Sequence, residues 1–333
     1  MSNPEDDSAS AAHAVSASVG LDDRWLLDEL LADAKQMAAQ RLAPSTLDAY
    51  RKDWGHFERW CLLHGVSSLP ASGEDTASYL AALYQRDGCA KSTVMRRAAA
   101  IGHHHRNANQ PSPLEHELVR ELLPAIRRRR ERPVSEARAL STTELLSMLQ
   151  VLGNDAKGLR DRAVLLVGFF GGLRRSEIVA IDVADLSPSP AGVTVRIGFS
   201  KTDQNGHGRS IALPRQTNDD RCPVRAIDRW RAEAEITEGP LFRRVRRGGI
   251  IGDQAMTDQS VNLIVKDAAG AAGVHVEGLS AHSLRSGFVT AAAHAGQTER
   301  QIARQTGHRS DVLRRYIQTH TAFADNAVMA VEL

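Results

Sequence analysis

Four residues in the stretch from Leu279 to Gln318 have side chains suited to work on a phosphate: His282, Arg285, His308 (directly after Gly307) and Tyr316. The chain has four tyrosines, and Tyr50, Tyr79 and Tyr84 all lie near its front, so Tyr316 stands alone in the last two-thirds. His282 and Arg285 are spaced i, i+3, which on a helix puts them on one face. A histidine exchanges a proton near neutral pH, and an arginine grips two phosphate oxygens while keeping its charge. Taken alone, His-x-x-Arg is more often surface decoration than a site. A tyrosine eight residues after His308, in a segment that already carries it, points to chemistry on a phosphate.

Two further positions extend the pattern. Arg174 follows Gly171-Gly172 and reads as the first turn of a helix, LRRSEIVAID, where backbone N–H groups favour an anion. Glu177, again at i+3, is placed to hold the guanidinium; as a plain surface ion pair it would contribute little. Lys201 sits at the mouth of a turn containing Asn205-Gly206, a hairpin signal. A lysine there can reach into a groove and protonate a leaving oxygen, although a solvated turn lysine is commoner. Gly307–His308 reads as a helix start.

The elements that must position these residues follow from periodicity. Residues 1–20 are small and polar and read as a disordered tail. A helical domain spans 21–131, with helices over 21–42, from Pro44 to Gly65, from Gly73 to Gln85, from Lys91 to Asn107, and from Pro113 to about Arg130. Residues 132–139 form a linker around Pro133. The second domain, 140–333, opens with the capping-box pattern Ser141-Thr142-Thr143-Glu144. An apolar helix runs from Leu159 to Phe170. Val193, Val195, Ile197 and Phe199 alternate as a half-buried strand, and Ser210–Leu213 returns as its partner. Beyond Cys222-Pro223 the chain reads as helical to a last helix near Phe323–Val331, broken by a basic loop, Phe242–Gly249. The fold class is therefore mainly α, with a small antiparallel hairpin or sheet in the α+β C-terminal domain.

Charge and composition narrow the partners. The net charge of +2 hides an acidic front and a basic remainder. Residues 1–35 carry eight acids and two bases, whereas 91–132 carry ten bases and four acids. A local excess made mostly of arginines points to a polyanion, with a solvated charged face as the bland alternative. On this ground Lys91, Arg96, Arg97, Arg127, Arg128, Arg129 and Arg130 are candidate contacts to a polyanion, joined by Arg243 and Arg244 of the basic loop. Cys61, Cys89 and Cys222 have no metal or disulfide spacing, which fits a reduced, cytoplasmic setting. No apolar run reaches membrane length. His103-His104-His105 cannot converge on one metal, because consecutive helical residues point apart. No carboxylate cluster or Walker sequence appears, so no metal or other cofactor is expected.

Together, GGLRRSE with Arg174 and Glu177, the hairpin Lys201, AHSLRSG with His282 and Arg285, TGH with His308, and RRYI with Tyr316 resemble the tyrosine recombinase (phage integrase) family over about residues 140–325. Residues 21–131 are similar, more weakly, to the family's helical core-binding domain. His308 and Tyr316 are one residue closer than the family more often shows. The resemblance implies a site-specific DNA recombinase in which Arg174, Arg285, His282 and His308 hold the phosphate and Tyr316 attacks it, forming a 3′-phosphotyrosine while Lys201 protonates the 5′ oxygen. It further implies two domains clamped on double-stranded DNA, and a homotetramer that passes through a Holliday junction. Two alternatives share the pattern: an enzyme relaxing DNA like a type IB topoisomerase, and a DNA-binding module that has lost the chemistry.

Overall fold

The computed structural model describes residues 22–39, 42–129, 137–198, 208–308 and 313. The chain divides into two compact units, Met1–Val134 and Ser135–Leu333. Among the described residues no helix is long and apolar enough to cross a membrane.

The first unit is helical: α1 (Asp22–Ala39), α2 (Pro44–His64), α3 (Gly73–Gln85), α4 (Lys91–Asn107) and, after a 3₁₀ turn at Pro113–Glu115, α5 (Glu117–Arg128). Local chemistry sets the boundaries. Pro44 opens α2, and Gly65 closes it in the left-handed region at φ 66°. Ser72 caps α3 by accepting from the Asp75 N–H. Trp54, Phe57, Tyr79, Leu80, Leu83, Val94, Ile101 and Val119 form the core. In α1, Leu26, Leu27, Leu30, Leu31 and Met37 are spaced as an apolar stripe yet stay exposed.

The second unit begins with an extended stretch in which Arg138 N–H donates to Gly278 O and Leu140 N–H to Ser283 O. Ser141 and Glu144 form the reciprocal capping box that starts α6 (Thr142–Gln150). Then come α7 (Ala156–Phe170), α8 (Arg175–Val179), an antiparallel sheet of β1 (Leu186–Ser189), β2 (Gly192–Ile197) and β3 (Arg209–Pro214), and α9 (Pro223–Glu233). A two-stranded ribbon of β4 (Arg243–Val245) and β5 (Ile251–Ala255) precedes α10 (Asp258–Ala271), α11 (His282–His294) and α12 (Glu299–Thr306). Val193, Val195 and Ile197 are buried in alternation, in register with Leu213, Ile211 and Arg209. The core gathers Leu165, Leu166, Phe169, Ile178, Trp230, Phe242, Val265 and Leu284. Trp230 Nε1–H meets its hydrogen-bonding need on Leu241 O at 2.8 Å.

The mainly α fold with a small antiparallel sheet is what the sequence predicts, but several local expectations are corrected. β1 has no sequence signal: Leu-Ser-Pro-Ser is an edge strand, where Pro188 forfeits no central ladder bond. The basic stretch Phe242–Gly249 is not a plain loop; it supplies β4 and a turn at Gly248 and Gly249, both at positive φ. Arg174 is not inside a first turn but is the N-cap of a five-residue helix. Gly307–His308 is not a helix start: Gly307, at φ 68°, terminates α12. Phe199, most of the Lys201–Gly208 turn and the final helix near 323–331 lie outside the described residues.

Candidate active site

The site is assembled by four element ends in the second unit. α7 stops at Gly171-Gly172, which turns the chain so that Arg174 caps α8. Gly172 has φ 55°, and a Cβ there would meet Thr306 Cγ2 at 2.7 Å. β3 begins at Arg209, α11 begins at His282, and α12 ends at Thr306, Gly307 and His308.

At the centre is Glu177, a buried carboxylate. Oε2 accepts the Arg174 backbone N–H at 2.9 Å, and Oε1 accepts Arg174 Nη1 at 2.7 Å. Arg209 adds a fork, Nη1 to Oε1 at 3.0 Å and Nη2 to Oε2 at 3.1 Å. Burial pushes the Glu177 carboxyl up, but the hydrogen bonds and charges of Arg209 and Arg174 outweigh it and leave the group below the ordinary value. Arg285 lies alongside, with Nη1 4.0 Å from Glu177 Oε2. Three guanidinium groups thus surround one carboxylate, leaving a local excess of positive charge suited to an anion.

Arg285 is 1% exposed. Its Nη1 donates to Gly172 O at 2.6 Å and Thr306 O at 2.7 Å, and its Nε donates to His308 Nε2 at 3.3 Å. Its Nη2 is buried and has no hydrogen-bond partner among the described residues. An unsatisfied buried donor is costly in a folded protein, so this one is available for a further acceptor. Burial first, then the Arg174 charge, pull the Arg285 guanidinium down to about 9, still charged at neutral pH. Burial, followed by the charges of Arg285 and Arg174, pulls His308 down to about 3, so its imidazole is neutral in the unliganded protein.

His282 is exposed at the first position of α11, with its backbone N–H on Ser280 Oγ at 3.2 Å, whereas Arg285 one turn later is buried. Arg175 points away, to Asp258 at 3.0 Å. Lys201 and Tyr316 lie outside the described residues. The structure therefore brings together Arg174, Glu177, Arg285 and His308, and adds Arg209 and Thr306, which the sequence reading missed. Arg209 opens the return strand of the expected hairpin, and that place in the register is its only sequence signal.

A match to the family model described as "Phage integrase family" covers residues 138–322. The chain belongs to the phage integrase family. It is 38% identical over 307 residues to the "Integrase/recombinase xerD homolog" of Selenomonas ruminantium, across 90% of this chain and 89% of that one. It is 28% identical over 282 residues to "Tyrosine recombinase XerD" of Ralstonia nicotianae, across 84% of this chain and 85% of the relative. Its fold is like that of a lambda integrase tetramer bound to a Holliday junction: TM-score 0.56, 16% identity, 87% of this chain and 76% of the other. As a member of this family the chain is an enzyme of the tyrosine recombinase class.

The candidate DNA contacts of the first unit fall into two groups. Arg96 is paired with buried Asp53 at 2.7 Å, and Arg97 lies 3.6 Å from the same carboxylate and 3.3 Å from the His56 ring. Lys91 Nζ donates to the Arg127 and Arg129 carbonyls, tying α4 to the end of α5. Arg127, Arg128 and Arg129 are exposed, with Arg129 over the Tyr84 ring at 5.9 Å; Arg130 lies outside the described residues. In the second unit Arg243 is turned inward: Nε donates to Pro240 O, Nη2 to Glu238 O, and Nη1 sits 3.7 Å from Asp253. Its guanidinium is thus engaged by the chain itself, whereas Arg244 is exposed. The three histidines diverge as expected: His105 is buried on Ile101 O and the Ala71 N–H, His104 stacks on Trp54 at 4.5 Å, and His103 lies beside Tyr50.

Proposed function

We propose that this protein is a site-specific DNA recombinase that cleaves and rejoins strands through a covalent 3′-phosphotyrosine. The observation that carries this reading is the buried Nη2 of Arg285, without a hydrogen-bond partner among the described residues, beside Arg174 in a chain of the phage integrase family. A phosphodiester under attack passes through a crowded state with added negative charge, and preorganised donors stabilise that state more than the ground state. Arg174 and Arg285 would contact the non-bridging oxygens, with Glu177 and Arg209 fixing Arg174, and His282 and His308 lining the site.

The Tyr316 oxygen would form the new bond to phosphorus while the bond from phosphorus to the 5′ oxygen breaks. The tyrosine proton leaves to a base within the site, and Lys201 supplies a proton to the 5′ oxygen. Since an unperturbed tyrosine has a pKa of about 10, the cationic surroundings must assist its ionisation. Rejoining runs the same steps in reverse with the 5′ hydroxyl as nucleophile, so no external energy source is required. The first unit would bind flanking duplex through its exposed arginines. Four protomers would then synapse two sites and exchange strands through a Holliday junction, the assembly named for the lambda integrase structure.

The test is a nicked suicide substrate carrying the recombination site. Wild type should accumulate covalent protein–DNA. Tyr316→Phe should bind DNA but trap none, and substantial cleavage by that variant would overturn the assignment of the nucleophile.

A further inference from the structure

Thr306 is the last residue of α12 and is fully buried beneath the site. Its hydroxyl donates to Ile302 O one turn back, at 2.8 Å. That bond uses its only hydrogen, so towards other groups Oγ1 can only accept. His308 Nδ1 lies 2.9 Å from Oγ1, and a hydrogen bond there requires the hydrogen to be on Nδ1. The opposite ring nitrogen agrees: Arg285 Nε donates to His308 Nε2 at 3.3 Å, which requires a bare lone pair. The Thr306 carbonyl also accepts from Arg285 Nη1 at 2.7 Å. One residue thus holds both the imidazole and the guanidinium, and Gly172, without a Cβ, leaves room for its methyl.

We propose that Thr306 is a positioning residue whose hydroxyl locks His308 in the Nδ1–H tautomer, keeping the Nε2 lone pair as the acceptor that holds Arg285 Nε within the site. The hydrogen bond made by one ring nitrogen determines the state of the other. The charged groups around the ring, Arg285, Arg174, Arg209 and His282, all disfavour a second proton, while Glu177 is occupied by Arg174 and Arg209. The ring is therefore neutral, and in a neutral ring the tautomer decides which end accepts a hydrogen bond and which donates one. The proposal deepens the recombinase reading and rests on it for the catalytic consequence, since Arg285, held by His308 Nε2 and the Thr306 carbonyl, would then meet the phosphate through Nη2.

The experiment uses the full chain labelled with ¹⁵N-histidine. Long-range proton–nitrogen correlations of wild type, with His308 assigned by comparison with His308→Gln, should show a protonated Nδ1 and a bare Nε2. Thr306→Val keeps the shape and removes the hydroxyl; it should lose that signature and cleave a suicide substrate about tenfold or more slowly, as expected when a preorganised donor to the phosphate, here Arg285, is mispositioned. Thr306→Ser restores the hydroxyl and should recover most of both. A wild-type His308 protonated on Nε2 would overturn the proposal, as would Thr306→Val with unchanged tautomer and rate, or Thr306→Ser as slow as Thr306→Val. If Thr306→Val does not fold, the wild-type tautomer and the serine variant still decide. If wild type traps no covalent DNA, the recombinase reading fails while the tautomer remains readable.

Discussion

Arg174 and Arg175 are adjacent in sequence and face different partners, Glu177 in the site and Asp258 on the surface. Arg174→Ala should therefore cost about 3 kcal/mol of transition-state stabilisation, the scale of losing one preorganised donor. Arg175→Ala should cost far less, because an exposed ion pair contributes little. Single-turnover cleavage of a suicide substrate measures both, and the reverse ranking would remove Arg174 from the site. His308 gives a second residue-scale expectation. Its folded value is about 3, against about 6.5 in an unfolded chain, so between these pH values the unfolded state binds a proton that the folded state does not. Stability of the DNA-free protein should thus fall as pH drops from 6.5 towards 3, with a slope from this group of up to about one proton. His308→Gln should flatten denaturation midpoints plotted over that range; an unchanged slope would mean that the ring is not held neutral.

At the scale of elements, α11 carries Arg285 and packs directly on the extended stretch entering α6 and on α7. A Cβ on Gly287 would meet Leu140 O at 2.2 Å and Phe169 Cε2 at 2.9 Å. Gly287→Ala should cost about 1–3 kcal/mol by overpacking, and it should slow cleavage as well, since any shift of the helix moves Arg285 two residues away. Thermal melts and cleavage rates that both match wild type would show that the interface relaxes without cost. How much of these elements was legible depended on whether their cause was local. Pro44 and Gly65 mark helix ends by backbone chemistry confined to a few residues, and α2 follows those signals. Ser141 and Glu144 announced their capping box for the same reason. β4 and β5 were hidden because a two-stranded ribbon rich in arginine and glycine has little apolar alternation to display. Gly307 was legible as punctuation but not as a stop: its left-handed φ closes α12 before His308. The part of Arg209 was not legible at all. It meets Glu177 across 32 residues through strand register, a relation that no local pattern encodes.

The whole molecule concentrates positive charge between residues 91 and 132, but the structure divides that charge by use. Arg96 and Arg97 satisfy Asp53, which is only 5% exposed, so removing them strips partners from a buried carboxylate. Arg96→Ala should lower thermal stability, because an uncompensated buried charge is destabilising, while leaving the salt sensitivity of DNA binding nearly unchanged. Arg127, Arg128 and Arg129 end α5 exposed, so their side chains remain accessible to phosphate. Binding that displaces counterions weakens with salt by a log–log slope of roughly −0.9 per phosphate neutralised. Changing Arg127–Arg130 to alanine should make that slope shallower by about 0.9 for every phosphate that is no longer neutralised, with the melting temperature preserved. Fluorescence anisotropy with a labelled duplex across a salt series measures the slope for each variant. A quadruple variant with the wild-type slope would mean that this run faces solvent or another protomer, whereas a flattened slope for Arg96→Ala would mean that the Asp53 pair opens when DNA binds.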